Sequence, residues 1–228
     1  VPGLSASTMN IQTGGAITQG GILTVTGAAT FQTANDNITL GSANQFSGPV
    51  NLTTTGAGTV NLVNAANLTL GTVSMGSGGL TVSTAAAIGN ITQTGSLVLT
   101  GNASFAAGAG NITLSNSGND FGNIRVTGNN VTLVDRTGLT FFPDGSNIAG
   151  TLSVTAGGDV LWDNTAPGNS AGLVTIASTG DVDLILAGGE GGVLGAIQAA
   201  GTFTLASLDP IYLNQGGAGG GDVDIGFS

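Results

Sequence analysis

Two acidic pairs have the spacing that chemistry needs: Asp181/Asp183 in GDVDLIL and Asp222/Asp224 in GDVDIGF. If Val182 and Leu184 point inward, the carboxylates at i and i+2 share one strand face, about 7 Å apart. Such a pair suits Ca²⁺, with carbonyls and water completing the shell, and the plainer alternative is a solvated acidic face. The Ca²⁺-binding nonapeptide G-G-x-G-x-D-x-U-x is not met, since GGAGGGD puts Gly221 where its Asp belongs. With Asp159 and Asp163 added, the acids also have the separations that glycoside hydrolysis uses. Lyase chemistry on an acidic polysaccharide would want a strong base and several cations, and the chain has no Lys and no His. Without His or Cys, neither a Ser/His nor a Cys/His nucleophile can form. The expectation is therefore a non-enzymatic protein, with no cofactor apart from Ca²⁺ as the weaker alternative on those acids.

Asparagine offers a second kind of site. N-x-[ST] occurs at Asn37, Asn51, Asn67, Asn90, Asn102, Asn111 and Asn130, each a candidate for glycosylation. A β-rich fold generates the same pattern unaided: Asn turns a corner, the next residue points in and Thr points out. Rows such as TVT, TTT and NLTL would set hydroxyls outward at strand spacing, which raises an ice-binding surface, but the intervening residues are mixed. Trp162 and Tyr212 suit sugar stacking, although a lone Trp in VLW reads as core.

The elements that position these residues are strands. Of 228 residues 42 are Gly and 40% are hydrophobic, yet only 6% are charged, the reverse of a disordered composition. Apolar pairs with one residue between them recur along the chain, as in Leu23/Val25, Ile38/Leu40, Val60/Leu62, Leu97/Leu99, Ile112/Leu114, Leu152/Val154 and Val160/Trp162. That is the strand period, one face inward and one outward. Gly, Asn and Asp separate the pairs and supply corners. GAITQGGILTVTGAATFQTANDNITL, which begins at Gly15, returns without a gap as GNITQTGSLVLTGNASFAAGAGNITL, which begins at Gly89. VNLVNAANLTL, from Val60, returns as VTLVDRTGLTF, from Val131. Sandwiches and barrels do not need one pattern to come back in register; a stacked solenoid does. The fold expected is all-β, a right-handed parallel β-helix (β-solenoid) of about 20 residues per coil with a 74-residue super-repeat. Residues 1–187 read as regular solenoid repeats and 188–228 as a looser, Gly-rich continuation.

Charge is segregated. Residues 1–119 hold one charged side chain, Asp36, and the other eleven acids and both arginines follow from Asp120 onward. So little positive charge disfavours nucleic acid and anionic membranes as partners. No run of 18 apolar residues exists to span a membrane as a helix. The opening Val1-Pro2-Gly3 shows no initiating Met and no signal peptide, as expected of a segment cut from a longer precursor. The uncharged stretch has little self-repulsion and favours association with other shafts or with further coils of the same chain.

ITQTGSLVLTGNASFAAGAGNITLSNSGNDFGNIRVTGNNVTL, followed by LSVTAGGDV, resembles the repeats of filamentous-haemagglutinin-type exoproteins and other giant bacterial adhesins, over residues 9–187. The resemblance implies an extracellular or bacterial cell-surface location and export through a partner outer-membrane transporter (two-partner secretion). It also implies a structural role in adhesion, biofilm or extracellular filament assembly, with host or neighbouring-cell surfaces or glycans as partners. A carbohydrate-binding or carbohydrate-active β-helix and a phage fibre shaft are the alternatives.

Overall fold

The computed structural model of the chain describes residues 3–142, 145–164, 170–180, 182–186, 193–199 and 202–207. Every regular element among them is a strand, and the ladders that join those strands are parallel. Ile17 pairs with Ile38, Ile38 with Val60, Val60 with Leu80, Leu80 with Ala103 and Ala103 with Ile124. Each partner lies one coil further on, and the spacing of these positions makes a coil of about twenty residues, as expected. The protein is a parallel β-solenoid.

Each coil has three sides. Between Leu80–Thr84 and Ala103–Ala106, which stack on each other, lie Ile91–Gln93 and Leu97–Leu99. In chain order these define a first face (Ile91–Gln93), a second (Leu97–Leu99) and a third (Ala103–Ala106). The apolar pairs singled out above are buried, with Ile38, Leu40, Leu62, Leu97, Ile112 and Leu114 fully so. Each such side chain contributes roughly 1.5–3 kcal/mol of transfer free energy. The core is therefore a column of stacked aliphatic rows rather than one globular centre. Edge-to-face phenylalanines punctuate it: Phe31 on Phe46 at 5.9 Å and Phe105 on Phe121 at 6.4 Å. Trp162 packs the same way on Phe141 at 4.7 Å and is buried, so its place is in the core. Tyr212 lies outside the described residues.

The super-repeat is not a whole number of coils. Phe31 sits on the second face, in Ala29–Thr33, whereas Phe105, its match in the next repeat, sits on the third. Ile38 is on the third face and its match Ile112, on Ile112–Leu114, is on the first. A residue and its repeat mate thus stand three coils and one face apart, and each repeat turns what it displays to the next side of the rod.

Corners approach closely enough to exclude a side chain. A Cβ on Gly101 would collide with the carbonyl oxygen of Gly78 one coil below, and a Cβ on Gly78 with that of Gly58. Glycine here serves close stacking of backbone on backbone.

Candidate functional site

The sequon asparagines are structural rungs. The side-chain carbonyl of Asn67 accepts the backbone N–H of Asn90 at 2.9 Å, Asn90 accepts that of Asn111 at 2.8 Å, Asn111 that of Asn130 at 3.0 Å, and Asn130 that of Thr151 at 3.0 Å. Asn37 accepts the backbone N–H of Thr59 at 2.8 Å and its hydroxyl at 3.0 Å, and Asn51 accepts the N–H of Thr72 at 2.9 Å. Asn102 accepts the side-chain amide of Asn123 at 3.3 Å. At a corner the chain turns out of ladder geometry, and an Asn carbonyl replaces the missing backbone acceptor. Asn37, Asn67, Asn102, Asn111 and Asn130 are exposed; Asn51 and Asn90 are half-buried. Their Oδ1 atoms do structural work, while glycosylation would use Nδ2. Neighbouring rungs stand about 4.8 Å apart, less than the width of a sugar ring.

The threonines of four of these sequons form a second ladder beside the first. Thr69, Thr92, Thr113 and Thr132 are in register, continued by Ser153 and Thr175, and the hydroxyls of Thr69 and Thr92 lie 3.2 Å apart in a hydrogen bond. This single file of hydroxyls is the most regular polar surface on the described residues.

A buried amide clasp went unread in the sequence. Asn44 is fully buried: its Oδ1 accepts the N–H of Leu23 at 2.9 Å, and its Nδ2 donates to the carbonyls of Leu40 and Val63, each at 3.1 Å. Gln19 meets it amide to amide at 2.9 and 3.0 Å. Asn119 repeats each contact, with Leu97, Leu114, Val134 and Gln93 as partners. The signal was present in the recurrent ITQ (17–19 and 91–93) and in N-x-F at Asn44-Gln45-Phe46 and Asn119-Asp120-Phe121. Polar types read as corners there, although two of them sit inside.

The next layer sets Asn64 and Asp135 in equivalent places, as the repeat that joins VNLVN to VTLVD requires. Asn64 Oδ1 accepts the N–H of Phe46 at 2.9 Å; Asp135 Oδ2 accepts that of Phe121 at 2.6 Å. Asp135 is buried, and desolvation pushes its carboxyl above the ordinary range against the hydrogen bonds from Phe121 and Thr137. Asp120, half-buried nearby, pairs with the exposed Arg136, whose hydrogen bond holds its carboxyl below the usual value.

Of the acids proposed for Ca²⁺ or hydrolysis, Asp181, Asp222 and Asp224 lie outside the described residues. Asp183 lies in Val182–Leu186, its backbone in register with Leu161 and Thr204. Asp163 pairs in register with Ile185, and the carbonyl of Asp159 accepts the N–H of Leu139 at 2.8 Å. Among the described residues no group of three or more acidic, His or Cys side chains is placed to hold a metal ion. A shallow cleft of about 300 Å³ is lined by Gln45, Phe46, Ser47 and Asn64–Asn67, amides and apolar groups rather than a carboxyl pair.

No curated protein and no solved structure matches the chain. One family does, along three consecutive segments, residues 2–53, 57–127 and 128–190. The last two begin at 57 and 128, the same shift that carries Val60 onto Val131 in the internal repeat. These segments span most of the sequence, so the chain belongs to the family described as repeats of unknown function (DUF5649).

Proposed function

We propose that this chain is a structural and adhesive shaft segment of a large secreted bacterial surface protein, without catalytic activity of its own. The observation that carries this reading is the parallel register running from Leu4 to Ser207, in which successive coils stack apolar rows inside and, among the described residues, mostly hydroxyls and amides outside. Such a rod gains stability coil by coil and keeps its cross-section, which suits spacing and display. The likeness to filamentous-haemagglutinin-type repeats supports a cell-surface location, export through a partner outer-membrane transporter, and roles in adhesion, biofilm or filament assembly with host surfaces or glycans as partners.

The test is made in the native cell. Antibody against residues 3–142 should label intact cells, and deletion of the repeats should reduce attachment or biofilm mass. Labelling only after lysis would overturn the surface assignment. Release of reducing ends from any polysaccharide by the purified chain would overturn the non-enzymatic one.

A further inference from the structure

We infer that the first face is the surface through which a second copy of this chain packs laterally. The inference rests on the shaft reading and names the side of the shaft that does the packing.

The three faces differ in charge. On the third, the outward file runs Thr18, Thr39, Asn61, Thr81, Ser104 and then Arg125. On the second it runs Gln12, Gln32, Thr53, Ser74, Val98 and then Asp120. Both files become charged in the same coil. The first face does not: Thr69, Thr92, Thr113, Thr132, Ser153 and Thr175 keep one chemistry through the point where the rest of the chain turns acidic. The parallel file Val134, Thr155, Ala177 is also uncharged. In a chain of net charge −10, this is, among the described residues, the side on which two like copies approach with least repulsion.

The face is also self-complementary. Along its edge Asn67, Asn90, Asn111 and Asn130 spend their side-chain carbonyls on the next coil, which leaves the amide N–H groups as donors. The threonine hydroxyls beside them accept as well as donate. Each copy therefore carries a row of donors and a row of acceptors at one repeat, the pattern of a polar zipper between sheets. Ile88, 72% exposed and the most exposed large apolar side chain described, stands two residues before Asn90 at the same corner.

Area sets the strength. Six rungs about 4.8 Å apart and a strand about 10 Å wide cover roughly 250 Å² per copy. That is well below the ~1,200 Å² total of a stable complex, so this length associates weakly. Association strengthens as coils are added, because linked contacts act together.

Sedimentation velocity of the full chain over a concentration series should show reversible association that is insensitive to salt. The double variant Thr92→Lys/Thr113→Lys should abolish it, at least tenfold in apparent Kd. Thr39→Lys/Thr81→Lys, the same change on the third face, should leave it intact. The chain has no Cys, so Thr113→Cys gives a single thiol, which should form a disulfide dimer on oxidation faster than Thr39→Cys. Unchanged β circular dichroism confirms that each variant is folded. Equal loss from both lysine pairs, or equal cross-linking on both faces, overturns the assignment of the face. A strictly monomeric wild type overturns lateral packing and leaves the shaft reading to the cell-surface test above.

Discussion

Thr137 has one hydroxyl proton and two carboxylates beside it. Its Oγ1 lies 2.9 Å from Asp120 Oδ1 and 3.0 Å from Asp135 Oδ1. The hydroxyl can donate to one of them at a time, while the backbone N–H of Thr137 also donates to Asp135 Oδ1 at 2.7 Å; burial nevertheless pushes the Asp135 carboxyl up. The two acids then act oppositely on stability. The Asp120 contribution, from a depressed carboxyl, is present above about pH 4 and lost as pH falls through its folded pKa. The Asp135 contribution, from a raised carboxyl, is complete below about pH 4 and lost as pH rises through its folded pKa. The melting-temperature difference between wild type and Asp135→Asn should therefore shift in favour of wild type on acidification from pH 7; a difference constant with pH would remove Asp135 from this account. The buried amides give a sharper number. Asn119→Ala strips partners from the N–H of Leu97 and the carbonyls of Leu114 and Val134, and should cost about 3 kcal/mol in urea melts.

At the scale of the element, the corners leave the least room. Backbone stacks directly on backbone at Gly58, Gly78 and Gly101, so a methyl group there has no space to enter. Gly101→Ala should destabilise the protein by about 1–3 kcal/mol through overpacking. Thr100→Ala, at an exposed neighbour, should stay within about 0.5 kcal/mol, as surface changes do. Equal melting of the two variants would show that the corner yields. The strands themselves were legible from the i,i+2 apolar pairs, since alternation has one meaning once one side is buried. Phe46 and Phe121 were not, because neither has an apolar residue at i±2 (Asn44 and Gly48, Asn119 and Asn123), so no alternation marks them until Phe31 or Phe105 is brought against them.

Over the whole molecule, contacts run mainly between successive coils, so the rod behaves as a one-dimensional stack. Asn44→Ala and Asn119→Ala interrupt clasps three coils and one face apart and share no partner. Their costs should add within about 0.5 kcal/mol in a double-mutant cycle, and a larger coupling would mean that strain travels along the core. The rotation of the long repeat by one face bears on display. A feature written once per repeat appears on three sides in turn, while a feature written once per coil, such as the asparagine rungs, stays on one edge.

The sequence by itself determined the strand class, the coil of about twenty residues, the inward pairs and the corner role of Asn and Gly. These follow from local periodicity and from a repeat that only stacking explains. Only the tertiary structure decided which asparagines turn inward, since Asn44 and Asn119 differ from the exposed rungs through the neighbouring coils that bury them rather than in type. It also decided that the repeat advances by a face, and that among the described residues the outward file of one face stays uncharged where those of the other two do not. A face is a set of residues from many coils, each a full coil apart in sequence, and composition along the chain cannot reveal a pattern that exists across it.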